Sequence, residues 1–446
     1  MNIFISLTAF IFAVGLLVTI HEFGHYIVGR LCGMKVLKFS IGFGKPIYSV
    51  KAGKDRTEYC VSRIPLGGYV QFLDNRTEKV NKKDYGRAFD QKSIGSRIAV
   101  LLAGPFFNFL FAILAYFIIF SNGIVAMKPL IGVIDKNSYA ASAGLAYGDQ
   151  IIKINDKTVI DWEHAVTELL TIIASDNEIN FQVKTKDKVL IEKKVVIDGK
   201  RNSLTEPGAL FNGLGFYPWQ PPAIIGEVQI GSPAEKADLL KGDQIIAIDN
   251  QNIRSFVEMR DIVARKPNQS ISVEYMRNDS KRYTTLVLGQ TDGSPPKGVL
   301  GVAISNNFED VWYLNKYKPI DAVLKSINQT WASTSFTVVM FTKMLSGDVS
   351  VKNISGPVSI AKYAGLSAVA GTSQFLKFLA LVSISLGVIN LLPIPMLDGG
   401  QIVFQTIEWL KGSPLSVRSQ LIGQQFGIMI LLALMSLAFY NDLFSR

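Results

Sequence analysis

Residues 21–25 read His-Glu-Phe-Gly-His, and the types and spacing of these side chains suit metal-assisted hydrolysis. On a helix, positions four apart share a face, so His21 and His25 offer two imidazoles to one ion. Glu22 falls on an adjacent face, three residues before His25, where a carboxylate serves as general base toward water. Two imidazoles on Zn²⁺ with a glutamate base is the logic of the HExxH metallohydrolases. The pentapeptide supplies two ligands and a base, so a third ligand has to come from elsewhere in the chain.

The element that carries the motif is unusual for a soluble enzyme. MNIFISLTAFIFAVGLLVTI runs directly into His21 without a charged side chain, and it is about as long as the roughly 20 apolar residues that cross a bilayer. It lacks the basic start and the small-x-small cleavage site of a secretory signal peptide. A transmembrane helix over 1–30 is therefore expected. Ionisable groups at membrane depth are costly unless compensated; Zn²⁺, two neutral histidines and two carboxylates sum to zero. Placement at the wet cytoplasmic end of the helix would explain either histidine alone, but not the spacing of all three residues.

The 446 residues contain only 18% charged side chains, and three further apolar stretches are expected to cross, at 96–120, at 375–392 within a segment 373–400, and at 421–441. Between Arg30 and Arg97 there are 15 Lys or Arg against 6 Asp or Glu. A short basic loop between spans faces the cytoplasm; this placement, rather than nucleic-acid binding, accounts for the net charge of +10. Both termini and the long middle region then lie outside. Cys32 and Cys60 fall in the basic loop, 31–95, where thiols stay reduced. Within that loop, IYSV and TEYCVSRI flank KAGKDR as a β-hairpin, whose edge either pairs with an extended substrate or merely packs against the spans. His164, in DWEHAV, has no ligand partner nearby in the sequence and reads as a surface helix residue.

Topology supplies the third ligand. The third span runs inward and is broken by Pro393 and Pro395, since proline removes a backbone donor and clashes with the preceding turn. Gly399 and Gly400 are read as permitting a turn, so Asp398 in NLLPIPMLDGG emerges near the cytoplasmic end, at the depth of His21 and His25. A fifth crossing at 321–346 would move Asp398 most of a roughly 30 Å hydrocarbon core away. An amphipathic helix on the outer surface, within a connector over 320–370, is preferred.

The middle region is a repeat. A shift of 94 residues aligns IGVIDKNSYAASAGLAYGDQIIKIN from Ile131 with IGEVQIGSPAEKADLLKGDQIIAID from Ile225 without a gap, and 12 of the 25 positions are identical. Each copy reads as a strand, a turn with Ser138 or Ser232, a short Ala-rich helix, and GDQII entering a buried strand, with Gly148 and Gly242 at the tight turn. The pattern resembles the PDZ domain, twice in tandem over 128–220 and 221–309. Leu214-Gly215-Phe216 and Leu300-Gly301-Val302 close the two copies, a permuted arrangement in which the carboxylate-loop strand comes last. Each groove either accepts a peptide tail by strand addition or is closed, leaving the pair as a spacer.

HEFGH in the first span, the tandem PDZ insert, AGPFFN at 103–108, GFG and PLGGYV in the basic loop, and NLLPIPMLDGG in the third span stand in one order. Together they resemble the bacterial site-2 proteases of the RseP type. The resemblance implies a polytopic α-helical membrane protein with four spans, a cytoplasmic-side hairpin and two inserted α+β PDZ domains, in the bacterial inner membrane with the PDZ domains in the periplasm. It implies His21, His25 and Asp398 as zinc ligands, Glu22 as catalytic base, and Asn390, Pro393 and Pro395 as the stretch that handles the substrate helix. Substrates would be single-pass membrane proteins of the anti-sigma factor type, trimmed outside beforehand, or remnant signal peptides; the PDZ pair would exclude bulky ectodomains. Gln401 departs from the histidine frequent after LDGG. An inactive PDZ-bearing scaffold is the competing reading, disfavoured by the intact His21, Glu22, His25 and Asp398. A metal transporter would need ionisable groups along a whole path rather than at one depth.

Overall fold

The computed structural model describes residues 3–76, 80–199, 201–305, 308 and 311–444. It divides into two compact units, one formed by Met1–Ile124 with Asn315–Arg446 and the other by Val125–Leu314.

The first unit opens with helix α1 (Ile3–Leu31), whose apolar run needs no water-facing side and whose last turn carries Arg30. A long antiparallel hairpin follows, β1 (Val36–Ala52) and β2 (Thr57–Phe72), turning at Gly53–Arg56 inside KAGKDR. Its register slips repeatedly between Val36 and Tyr48, so one ribbon bends along its length. Asp55 at the turn is gripped by the guanidinium of Arg87 through two hydrogen bonds of 2.9 and 2.7 Å. Helix α2 (Ile94–Asn122) starts at Ser93, whose hydroxyl accepts from the Ser96 amide, and stops at Gly123 with φ 88°.

Strand β3 (Ile124–Met127) carries the chain into the second unit. The first repeat comprises β4 (Ile131–Ile134), α3 (Tyr139–Ser142), β5 (Gln150–Ile154), β6 (Lys157–Thr158), α4 (Trp162–Ile173), β7 (Glu178–Lys184), β8 (Leu190–Val196), α5 (Arg201–Leu204), α6 (Ala209–Leu214) and β9 (Phe216–Pro218). The second comprises β10 (Ile225–Val228), α7 (Pro233–Lys236), β11 (Gln244–Ile248), β12 (Gln251–Asn252), α8 (Phe256–Ala264), β13 (Ser270–Arg277), β14 (Ser280–Val287), β15 (Gly289–Gln290), β16 (Gly298–Val299) and β17 (Val302–Ile304). Strand β18 (Trp312–Asn315) then pairs with β3. The two repeats share their core topology: sheets ordered β6-β5-β7-β8 and β12-β11-β13-β14, with the first strand of each copy paired to its last, β4 to β9 and β10 to β17; the second adds the pair β15-β16. Ser138 and Ser232 cap the short helices α3 and α7. The alternating apolar residues of the central strands fill one core per copy, around Ile151, Phe181 and Phe216 in the first and Ile245, Ile271 and Val273 in the second. His164 lies in the first turn of α4, its amide donating to Asp161 at the cap.

The chain returns to the first unit through α9 (Pro319–Ser346), α10 (Pro357–Ala370), α11 (Thr372–Asn390), α12 (Asp398–Lys411) and α13 (Val417–Phe444). Among the described residues, four helices are long and apolar enough to cross a membrane: α1, α2, α11 and the span Arg418–Phe444 in α13. Helix α9 is not among them. The helices bury small and branched residues against one another, Ala112, Ala115 and Ile119 of α2 meeting Ala380, Ile384 and Val388 of α11. Large apolar side chains point outward along the same helices, among them Phe4, Phe12, Phe106, Leu114, Phe426 and Leu432. An exterior of that kind needs lipid rather than water against it.

Two expectations change here. The 373–400 segment is not one broken helix: α11 stops at Asn390, and Asp398 is the first residue of a separate helix, α12, that continues to Lys411. Gly399 and Gly400 do not make a turn. They are buried in the first turn of α12, where a Cβ would strike the carbonyls of Leu391, Leu392 and Ile394; their role is close backbone approach. The change of direction falls earlier, in residues 391–397, where Met396 has φ 116°.

Candidate active site

Three elements converge on one buried point. Helix α1 supplies His21 and His25 from successive turns, 9% and 8% exposed. The N-terminus of α12 supplies Asp398. His21 Nε2 lies 3.1 Å from Asp398 Oδ2, and His25 Nε2 lies 3.5 Å from Oδ1. The two Nε2 atoms are 3.2 Å apart, with the rings nearly perpendicular at 82°. The ligand atoms of all three residues fall within 4.8 Å of one another.

The donor set fits a divalent metal. Two imidazole nitrogens and a carboxylate are the ligand types of a catalytic zinc site that keeps a position open. Apart from the approach of His21 Nε2, Asp398 Oδ2 is buried without a hydrogen-bond partner among the described residues, as a ligand oxygen reserved for an ion would be. His25 Nδ1 sits 2.7 Å from the Val100 carbonyl oxygen. That oxygen only accepts, so Nδ1 carries the proton and Nε2 presents its lone pair.

Helix α2 forms the floor. Gly104 lies so close beneath both imidazoles that a Cβ there would stand 2.6 Å from His21 Nε2 and collide with His25 Nε2 as well. Gly24 of α1 packs against the Ala103 carbonyl in the same way, which brings the two helices together at this level. Asn108, fully buried, places its side-chain amide 3.2 Å from His21 Nδ1. Gly104 and Asn108 were not singled out as site residues from sequence; the signal available was a glycine and an asparagine one turn apart in an otherwise apolar span.

Glu22 is directed toward the hairpin. The backbone of Val70 lies beside its carboxylate, and a Cβ on Gly68 would meet Glu22 Cγ at 3.1 Å and the Ser40 carbonyl at 2.8 Å. The PLGGYV stretch thus approaches the base through backbone. Asn390 ends α11, Pro393 is exposed, and Pro395 is half-buried with its carbonyl against Gly427 of α13. These three line the connection leading to Asp398 and are not among the residues clustered with the imidazoles. Gln401 lies in the first turn of α12, its amide bonded to the Leu397 carbonyl.

Comparison with known proteins agrees in length and kind. A family model described as Peptidase family M50 matches residues 9–434. The chain is 38% identical over 456 residues to the regulator of sigma-E protease RseP of Salmonella typhimurium, covering 100% of each chain. It is 38% identical over 450 residues to the Escherichia coli K12 protein of the same name, covering 99% of this chain and 98% of that one. A Neisseria meningitidis protein named as a zinc metalloprotease is 39% identical over 448 residues, 98% of each chain. Among solved structures, a PDZ domain from Listeria monocytogenes aligns at 20% identity over 20% of this chain and 94% of its own, with a TM-score of 0.18.

Proposed function

The chain belongs to peptidase family M50, and we propose that its catalytic centre is the buried cluster in which His21, His25 and Asp398 hold one zinc ion and Glu22 acts as base. It is a zinc metalloendopeptidase of the site-2 type. The observation that carries the residue assignment is the approach of Asp398 to both Nε2 atoms at 3.1 and 3.5 Å, in a pocket built from two helices hundreds of residues apart in sequence.

Bound Zn²⁺ supplies Lewis-acid activation of water and of the scissile carbonyl. The chain supplies the rest. Glu22 accepts a proton from the attacking water and returns it to the departing amide nitrogen, so that C–N cleavage leaves a neutral amine and a carboxylic acid. The Val70 backbone beside Glu22 helps to orient that carboxylate. The apolar walls of α1, α2 and α11 limit water, which strengthens each electrostatic contact inside.

A peptide bond in a helix is shielded by its own hydrogen bonds, so the substrate segment has to be extended before Glu22 can serve it. The edge of the hairpin is suited to pairing with an unwound segment, while Asn390, Pro393 and Pro395 flank the path toward Asp398. The substrates are single-pass membrane proteins of the anti-sigma factor type, already trimmed on the outer side, and remnant signal peptides; the cellular role is envelope-stress signalling. Four apolar helices and the basic loop between the first two support an inner-membrane protein with that loop in the cytoplasm. Both termini and the tandem PDZ domains, 128–220 and 221–309, then face the periplasm. A cavity of about 1100 Å³ between β10, α8 and Leu300-Gly301-Val302 supports a peptide-accepting groove in the second copy. The segments 31–95 and 320–370 serve as substrate-facing loop and outer-side amphipathic connector.

The test is Glu22→Gln. Purified in detergent, the variant is expected to keep its fold and its zinc while cleavage of a model transmembrane substrate falls by at least about 100-fold, the usual worth of a general base. Undiminished cleavage would overturn the assignment. The scaffold reading predicts instead that the wild-type chain neither holds zinc nor cleaves in a chelator-sensitive way.

A further inference from the structure

We infer that Asn108 is a positioning residue for the metal: its side-chain oxygen fixes the tautomer and ring orientation of His21. This rests on the zinc assignment above. A histidine that ligates through Nε2 must offer a lone pair there, so its proton sits on Nδ1 and needs an acceptor. For His25 the acceptor is the Val100 carbonyl, 2.7 Å away. For His21 the group facing Nδ1 is the carboxamide of Asn108, placed with Nδ2 at 3.2 Å; a half-turn of the amide brings Oδ1 to the same point.

A carboxamide presents a donor at one end and an acceptor at the other in nearly the same shape. With its nitrogen toward His21, it donates to Nδ1 and forces the ring proton onto Nε2, which points at Asp398 Oδ2 3.1 Å away; that tautomer has no lone pair for an ion. With its oxygen toward His21, it accepts from Nδ1–H and frees Nε2. Where it stands, Asn108 Oδ1 is buried and has no hydrogen-bond partner among the described residues, so turning it toward His21 breaks no bond. The residue itself is held firmly. It is 0% exposed, it lies one turn beyond Gly104 on α2, and its backbone carbonyl accepts from the Ser383 hydroxyl of α11 at 2.9 Å. One buried asparagine thereby ties α2, α1 and α11 together at the level of the ligands.

The measurement is zinc affinity of the full chain in detergent, by competition with a chromophoric chelator. Asn108→Ala removes the acceptor and is expected to weaken zinc binding by about 10–100-fold, the range for lost outer partners of a ligating histidine. Asn108→Asp keeps an acceptor at Nδ1–H without the competing donor, and is expected to restore affinity to the wild-type level or better. Wild-type affinity in Asn108→Ala would overturn the inference, as would equal weakening in both variants, which would reduce Asn108 to packing. Should Asn108→Ala fail to fold, Asn108→Asp still decides: undiminished affinity supports the role, and weakened affinity overturns it. A wild-type chain that takes up no zinc would sink the metal assignment itself, a result distinguishable from loss confined to the variants.

Discussion

At Gly104 even one methyl group has nowhere to go. The position packs against the Nε2 atoms of both histidines, so Gly104→Ala forces either the imidazoles or helix α2 to shift. Overpacking of this kind typically costs about 1–3 kcal/mol, and here the strain falls on the ligands. The expected outcome is loss of zinc and of proteolysis with only a modest fall in thermal stability, read by metal analysis and unfolding of the same preparation. Gly15, earlier in the helix that carries the histidines, meets nothing within 4 Å of its would-be Cβ. Gly15→Ala is therefore expected to leave zinc unchanged and to be neutral or stabilising by up to about 1 kcal/mol. Similar damage from both substitutions would show that neither α1 nor α2 tolerates added volume, and would remove the special place given to Gly104.

Helix α12 has to be held in register for Asp398 to reach the histidines, and a buried ion pair does much of that. Arg97 of α2 and Glu408 of α12 meet at 3.0 Å with side chains 11% and 5% exposed, and the other Glu408 oxygen accepts from the Leu415 amide at 3.1 Å. Removing one partner of such a pair leaves a buried charge uncompensated, at roughly 3–5 kcal/mol, whereas replacing both by apolar groups is often neutral. Glu408→Ala is expected to lower the unfolding temperature in detergent and weaken zinc, and Arg97→Met with Glu408→Leu to recover most of the stability. If the double variant is as unstable as the single one, the pair contributes more than charge balance. Elements of this size were largely legible in the sequence. Unbroken apolar runs marked the long helices, KAGKDR marked the hairpin turn, and the depth argument brought Asp398 to the histidines. The start of α12 was misjudged because a Gly-Gly pair after prolines is compatible with a turn or with close packing, and only the neighbouring carbonyls of Leu391, Leu392 and Ile394 decide between them. Gly104 and Asn108 lie within AGPFFN, but what they do there is set by what lies across the helix interface, which the motif alone does not encode.

Across the whole chain, the duplication in the second unit provides an internal comparison. Asn155 and Asp249 occupy the same place in the two repeats, each in a left-handed conformation with φ 49° and 48°. Each closes the same pair of bonds, Asn155 with Asn180 at 2.7 and 2.9 Å and Asp249 with Ser272 at 2.9 and 2.8 Å. The side chains differ in one respect, since only Asp249 titrates. Its hydrogen bond to the Lys266 ammonium, and then that from the Ser272 amide, hold its carboxyl below the usual carboxylate value. A folded-state value below the unfolded one means stabilisation that is present at pH values above the ordinary carboxylate range and is lost as pH falls through the depressed value. Because the pair is solvent-exposed, the effect is small, about 0–1 kcal/mol. In the full chain, Asp249→Asn is expected to speed amide exchange around Ser272 at neutral pH, up to about fivefold. The difference should vanish as acid protonates the wild-type carboxyl, since a neutral aspartic acid and an asparagine offer Ser272 much the same acceptor. Exchange around Asn180 in the first repeat should be identical in the two proteins at every pH. A difference between wild type and Asp249→Asn that persists unchanged into strong acid would mean that shape rather than charge distinguishes the two turns.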